Sequence, residues 1–330
     1  MVKSLCIVVP VFNDWASALI LLDHLNEVAK TLGIEIYVNL VDDGSTELFD
    51  ETTLPKIQSF THLMGAEIVH LALNVGHQRA IAIGLCVAVE EHNLDAILVM
   101  DGDGEDPPEA IGTLLQATAG RPDFCIVAQR RKRTEKLTFK LSYIVYKSVF
   151  RLVTGKEINF GNFSLTSRGY ARRLVLVSDL WNNLAAGVLR SRLPVQRVPV
   201  DRGHRYAGSS KMNFVSLVIH GLSGISVYAE TIFVRLLLLT VIVAVLTVLM
   251  IAVVISLRLF FPEHATPGWA TTVSFSMVII LAQICFTAFS SILMLLNSRV
   301  QRLILPVKAF HDYVGIRRLL VGRRPNPKAV

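Results

Sequence analysis

The run Ile97-Leu98-Val99-Met100-Asp101-Gly102-Asp103-Gly104-Glu105-Asp106-Pro107-Pro108-Glu109 passes abruptly from apolar to acidic. Its apolar half has the length and composition of a buried strand, and Pro107-Pro108 stops that strand and can begin a helix. In an open α/β sheet, ligands bind beyond the carboxyl ends of the strands. Carboxylates one residue apart at such an end, here Asp101 and Asp103 with Glu105 behind them, can converge on one hard divalent cation. Such a cation keeps several waters and takes further ligands from phosphate oxygens. An acidic surface turn would have the same composition; the strand before it and the proline pair after it favour a site.

The same pattern continues outward. Apolar segments at Leu5–Val11, Ile34–Val41, Glu67–Leu73, Ala96–Met100 and Phe124–Ala128 alternate with helical patterns at Ala16–Leu32, Leu54–Met64, His77–Glu91 and Pro108–Thr118. Apolar strands joined by helical crossovers predict an α/β domain with a mainly parallel, Rossmann-like sheet covered on both faces; Val195–Val200 adds a further strand. Two more strand ends are polar. Val41-Asp42-Asp43-Gly44-Ser45 offers carboxylates that can accept hydrogen bonds from a ribose or base, although an Asp-Gly turn before a helix reads the same way. Asn74-Val75-Gly76-His77 opens a helix whose free N–H groups suit an anion. Three polar strand ends in one sheet are more simply one pocket than three unrelated turns. No GxGxxG follows the first strand, which excludes a Rossmann dehydrogenase.

Composition divides the chain. Of 330 residues 52% are hydrophobic, with a mean hydropathy of +0.50, and the excess lies beyond Ile232. Leu236–Leu257 and Val273–Leu296 are uncharged and long enough to span a bilayer; buried core helices are the alternative, disfavoured by length. Lys211 and Arg235 precede the pair, and Arg299, Arg302, Lys308, Arg317, Arg318, Arg323 and Arg324 follow it. The positive-inside rule then predicts a multi-pass protein of the inner (cytoplasmic) membrane with both termini cytosolic. The expected organisation is a cytosolic domain over 1–212, a juxtamembrane amphipathic segment over 213–231, two transmembrane helices over 232–298 and a basic cytosolic tail over 299–330. Within the first domain, 137–153 carries a narrow basic face with Lys140, Lys147 and Arg151; it either lies in the membrane interface or packs on the sheet as a solvated helix. The N-terminal apolar run is short and ends in Pro10, which reads as a strand rather than a cleavable signal peptide.

The net charge is +7, with basic residues crowded near the apolar runs, so the expected partner is a lipid bilayer and not nucleic acid. Cys6, Cys86, Cys125 and Cys285 form no CxxC pair and read as buried thiols in a reducing compartment. Small residues such as Ala288, Ser290 and Ser291 in the second span could serve a homo-oligomer.

Taken in order, Val8-Val9-Pro10-Val11-Phe12-Asn13-Asp14, VDDGS at 41–45, NVGHQRAIAIGL at 74–85 and DGDGEDPPE at 101–109 resemble family-two glycosyltransferases of the GT-A fold. Arg205-Tyr206-Ala207-Gly208-Ser209-Ser210-Lys211 matches the R-x-x-G-x-S-K motif of the polyprenyl-phosphate branch, which includes dolichyl-phosphate mannosyltransferase and bactoprenol glucosyltransferases. The resemblance implies transfer of a sugar from a nucleotide sugar to a polyprenyl phosphate, with inversion and with Mg²⁺ or Mn²⁺. By position it implies that Pro10, Phe12, Asp14, Val41 and Asp43 line the nucleotide pocket, that Asp101, Gly102 and Asp103 hold nucleotide and metal, and that Arg130, Arg205 and Lys211 meet phosphates. Asp103, Arg205 and Lys211 would then be catalytic and Asp101, Asp103 and Glu105 would hold the metal. Cationic side chains suit a site where a donor diphosphate and a lipid phosphate must approach despite like charge. On the residues alone, Arg130 could instead belong to a solvated basic turn and Lys211 to a pre-membrane anchor. A UDP-sugar is favoured by the bactoprenol resemblance, and a GDP-sugar fits the same motifs.

Three positions depart from the family pattern. Glu105 stands where Gln is usual, Asp14 where Glu is usual, and Asn162 where relatives carry an acidic residue. Asn162 cannot act as a base. A phosphate monoester at neutral pH is already ionised, whereas a sugar hydroxyl must lose a tightly held proton. The substitution therefore favours a phosphate acceptor over a hydroxyl acceptor in polysaccharide synthesis, and it is also what a non-catalytic membrane scaffold of the same fold would show. No Q-x-x-R-W run of the processive synthases is present.

Overall fold

The computed structural model describes residues 2–130, 148, 150–152, 154–155, 160–207, 221–260, 268–300 and 303–325. Lys211, most of 137–153 and residues 213–220 lie outside the described residues. The described residues fall into two compact units, one from Met1–Lys147, Glu157–Val227 and Leu303–Val330, the other from Ser148–Lys156 and Tyr228–Arg302.

The first unit is built on β1 (Ser4–Val11), whose alternation divides the core. Leu5, Ile7, Val9 and Val11 face one buried cluster, and Cys6 and Val8 face the other. α1 (Trp15–Leu32) covers the first face with Ala18, Leu21, Leu22, Leu25, Val28 and Ala29, a stripe at helical spacing. It ends at Gly33, where a φ of 62° lets the Gly33 N–H reach the Ala29 carbonyl. β2 (Glu35–Asp42) and β3 (Leu63–Leu71) extend the sheet in parallel, with α2 (Leu54–Gln58) between them. α3 (His77–Glu91) is buried along almost its whole length on the second face and leads to β4 (Ala96–Val99), which pairs in parallel with the other side of β1. α4 (Ala110–Gln116) follows the acidic run.

Beyond β4 the sheet turns mixed. β5 (Cys125–Arg130) and β4 both pair antiparallel with β6 (Ser164–Ser167), and β7 (Gln196–Val200) pairs in parallel with β5. Helices α5 (Arg168–Leu174) and α6 (Leu184–Arg190) lie between β6 and β7. The strand order is β7-β5-β6-β4-β1-β2-β3, with an eighth strand beside β3.

That eighth strand corrects the expected tail. β8 (Val314–Gly322) lies within 299–330 and pairs antiparallel with β3. Its arginines, read as a basic terminus, are consumed by carboxylates. Arg317 pairs with Glu67 and Glu91, Arg324 Nε donates to Glu67 Oε2 at 3.0 Å, and Arg318 pairs with Glu51. Glu67 is fully buried, with His92 Nε2 3.4 Å from its Oε1. Two smaller expectations also shift. The helix read over Leu54–Met64 ends at Gln58 because Leu63 and Met64 join β3, and the polar β6 was not anticipated.

The second unit contains α7 (Ala229–Phe260) and α8 (Trp269–Val300), which enclose both predicted spans and pack on each other. Both are long and apolar enough to cross a membrane. The buried positions of α7, Thr240, Thr247 and Val254, recur at seven-residue spacing, and Ser291 is the buried counterpart on α8. Both α7 threonines and Ser291 return their hydroxyls to their own helix, at Leu237 O, Val243 O and Thr287 O.

Burial pushes the Glu67 carboxyl up, but hydrogen bonds and charge from His92 and Arg317 outweigh it and bring it to about 2. Its folded pKa lies below the unfolded one, so the stability it confers is complete above the ordinary value of 4.5 and is lost as pH falls toward about 2. Removing one partner of such a pair strands a buried charge, at a cost of about 3–5 kcal/mol. Arg317→Leu is therefore expected to lower stability by that amount near neutral pH in urea unfolding of the detergent-solubilised protein. The deficit should shrink as pH falls through the window.

Candidate active site

The sheet order places the carboxyl ends of β4, β1, β2 and β3 side by side, and the three polar strand ends meet there. Asp43, just past β2, accepts the N–H of Val75 at 2.7 Å and of Gly76 at 3.0 Å, so the second and third polar ends are joined by one carboxylate. Burial raises the Asp43 carboxyl despite those two bonds. Its neighbour Asp42 is used structurally, accepting Ser45 N–H at 2.9 Å and contacting His70 Nδ1 at 2.7 Å. Asn13, with a φ of 50°, fastens the end of β1 to the same turn, its Oδ1 accepting the N–H groups of Thr46 and Glu47.

The acidic run folds back on itself. Asp106 Oδ2 accepts the Asp101 N–H at 3.0 Å, and Asp103 Oδ1 accepts the Glu105 N–H at 2.9 Å. Segment 201–206, which follows β7, straps this loop. Gly203 N–H donates to Glu105 O at 3.0 Å, and Tyr206 N–H to Asp103 O at 2.9 Å. The approach requires glycine on both sides. A Cβ on Gly203 would sit 2.2 Å from Gly104 O, and one on Gly104, whose φ is +90°, would sit 2.6 Å from His204 O.

Three guanidinium groups answer the carboxylates. Arg205 pairs with Asp103, Arg202 with Glu105, and Arg130 lies 3.5 Å from Glu105 and 3.3 Å from Asp106. Glu105 is thus committed to two arginines, and among the described residues no three His, Cys, Asp or Glu side chains converge as a metal cluster. The expected metal set was Asp101, Asp103 and Glu105. A two-carboxylate set remains chemically suitable, because Mg²⁺-type ions commonly bind one or two carboxylates and take substrate phosphates for the rest. The structure fits this use. Asp101 Oδ1 is buried with the His77 ring nitrogen 3.3 Å away, and Arg205 Nε is buried without a hydrogen-bond partner beside the same loop.

His77, Gln78 and Asn162 complete the site. His77 Nε2 stands 3.3 Å from Asp101 Oδ1 and 3.0 Å from Asn162 Nδ2. Gln78 Nε2 donates to Asn162 Oδ1 at 3.1 Å, while Gln78 Oε1 accepts the Leu184 N–H at 2.8 Å. Burial pulls the His77 imidazole down, but Asp101, Asp43 and Asp103 more than reverse this and hold it above its ordinary value. Burial would raise Asp101, yet His77, Arg130 and Asn162 hold it below the usual carboxylate range. Burial raises both Asp103 and Asp106.

The chain belongs to glycosyl transferase family 2. The family's model matches residues 6–179, more than half of the chain. The chain is 26% identical over 222 residues to the undecaprenyl-phosphate 4-deoxy-4-formamido-L-arabinose transferase of Photorhabdus laumondii, a match covering 66% of this chain and 65% of that protein. Against the Pectobacterium atrosepticum protein of the same name, it is 26% identical over 288 residues, covering 86% of this chain and 85% of that one. Among solved structures, glucosyl-3-phosphoglycerate synthase from Mycobacterium tuberculosis in complex with Mn²⁺, uridine-diphosphate-glucose and phosphoglyceric acid superposes with a TM-score of 0.50. The identity is 14%, over 70% of this chain and 80% of that one, a likeness of fold. The mainly parallel sheet is the GT-A fold.

Of the anticipated residues, the structure brings Asp43, Asp101, Gly102, Asp103, Glu105, Arg130 and Arg205 to this one edge. Phe12 stands exposed just past β1, and Pro10 is partly buried near its end. The Val41 side chain is wholly buried in the core beneath α3. Asp14 precedes α1 without capping it through its side chain. Lys211 lies outside the described residues. Arg202, Asp106, His77 and Gln78 were given no role from sequence; their partners lie across 97, 24, 85 and 84 positions, beyond any local pattern.

Gly203→Ala tests the strap. Overpacking of this kind costs roughly 1–3 kcal/mol, and hydrogen exchange at the Gly203 and Tyr206 amides should accelerate while the Gly33 amide stays protected.

Proposed function

We propose that the protein transfers a sugar from a nucleotide sugar, with a UDP-sugar favoured, to a polyprenyl phosphate at the cytosolic face of the membrane. The observation that carries this reading is the charge arrangement at the β4 edge. Asp101 and Asp103 stand one residue apart at the strand end, Asp101 with His77 at its buried oxygen, and Arg130, Arg202 and Arg205 ring the loop. A Mg²⁺ or Mn²⁺ held by Asp101 and Asp103 would supply positive charge to the leaving diphosphate. Asp43 and the chain end past β1 suit the nucleoside. The acceptor phosphate oxygen attacks the anomeric carbon, the bond from that carbon to the diphosphate oxygen breaks, and the nucleoside diphosphate leaves with the electron pair. No proton has to move. Arg130 and Arg205, with Lys211 on the resemblance, stabilise the two phosphate groups as they approach, and inversion follows from in-line attack.

Asn162 supports the phosphate acceptor. Its amide is engaged by His77 and Gln78 and offers no carboxylate to deprotonate a hydroxyl. The polyprenyl-phosphate relatives point the same way. Membrane attachment is supported by α7 and α8, and β3–β8 pairing adds an argument from connectivity. Chain on both sides of the hairpin belongs to one sheet, so two crossings return it to the side it left. The arginine and lysine bias makes that side cytosolic.

The test incubates detergent-purified protein with Mg²⁺ or Mn²⁺, polyprenyl phosphate and a panel of nucleotide sugars, following nucleoside diphosphate release and glycolipid mass. One donor should give a lipid-phosphate sugar, and Asp103→Ala should slow it by roughly 10²–10³-fold. Nucleotide release without glycolipid would indicate a hydroxyl acceptor. Nucleotide binding without turnover for any donor would indicate a scaffold.

A further inference from the structure

The first unit carries an apolar face remote in sequence from the acidic loop. Leu176, Leu303 and Ile304 are 52%, 74% and 62% exposed and cluster on two segments bonded to each other. Two bonds join their segments: Trp181 Nε1–H donates to Ile304 O at 2.9 Å, and Val307 N–H to Val175 O at 3.3 Å. Trp181 itself is partly exposed, its nitrogen bonded and its ring stacked obliquely on Tyr313 at 5.7 Å.

The same stretch holds both points where the chain leaves for the apolar hairpin and returns from it. Arg190 NH1 donates to Val227 O at 3.2 Å, and Arg190 Nε is fixed 3.0 Å from Asp179 Oδ2. Val227 lies two residues before α7 begins, and Leu303 three residues after α8 ends. A turn at Ser178–Trp181 and the adjoining α6 therefore bond the backbone beside each end of the hairpin.

We infer that the Leu176–Trp181–Ile304 face is seated in the headgroup region of the lipid bilayer. This rests on the reading that α7 and α8 span the membrane. Side chains within a few residues of a membrane-spanning helix cannot lie far from the interface, since each residue spans at most about 3.6 Å. Tryptophan with a bonded nitrogen and an apolar ring suits that layer. Exposed Arg172 and Lys308 on the same two segments would meet anionic headgroups. Four apolar side chains are too few for a second protein copy to bind stably, which takes about 800 Å² per partner. The face orients the catalytic unit toward the layer where a polyprenyl phosphate presents its headgroup.

The experiment uses the full chain with Trp269→Phe, reconstituted in bilayers whose lipids carry bromine near the headgroup. Trp15 is 7% exposed with its N–H on Glu47 O and gives a constant background. Brominated lipid should quench the emission, and the quenching should vanish when Trp181→Phe is added. Emission untouched by bromine but quenched by aqueous iodide would overturn the proposal in favour of water. Shielding from both would overturn it in favour of a protein partner, including a second copy. Alkaline carbonate extraction separates the two levels: release of the protein refutes membrane spanning itself, whereas retention with unquenched Trp181 refutes only the seated face.

Discussion

Everything at the functional edge depends on meeting the charge of buried carboxylates. Asp43, Asp101, Asp103 and Asp106 gather at adjacent strand ends, where burial alone would drive protons onto them. The fold answers with two kinds of donor. Backbone N–H groups reach the carboxylates nearest the turns, as Val75 and Gly76 do for Asp43. Guanidinium groups from β5 and segment 201–206 reach those of the acidic loop. The strap, with its two glycines, exists because those arginines must come close enough to pair. A site assembled this way holds more charge than it could without its own counterions.

A second buried carboxylate solves the same problem for stability rather than chemistry. Glu67 sits in the middle of β3 and is met by His92, Arg317 and Arg324, two of which come from the far end of the chain. This pins β8 onto a sheet edge that would otherwise stay open to other strands. The strand pairing ties the two flanks of the hairpin to one domain.

Much of this was legible in the sequence, and the reasons differ by element. The parallel strands and α3 were readable because burial on both faces leaves a near-continuous apolar run, and the hairpin because a bilayer demands length without charge. Strand ends β2, β3 and β4 were readable as a site because polar residues after such runs have nowhere to go but the edge. β6 was not, since SLTS is polar and becomes a strand only through its neighbours β4 and β5. β8 was not, since VGIRRLLVG reads as a basic tail until Glu67, Glu91 and Glu51 are known to face it. Position in a motif gives proximity, whereas strand alternation decides which way a side chain points, and the Val41 side chain points into the core.

The departures from the family pattern acquire a shared logic in three dimensions. Glu105, where Gln is usual, looked like an added metal ligand, yet both its oxygens are taken by Arg202 and Arg130. Its extra negative charge is offset by arginines and is not presented to a cation. Asn162, where an acid is usual, looked like a lost base; its Nδ2 stands 3.0 Å from His77 Nε2 and its Oδ1 accepts from Gln78. One substitution adds a charge and the other removes one, and each is matched by its neighbours. Asp103 and Glu105 are each paired with an arginine, and Asp101 stands against His77.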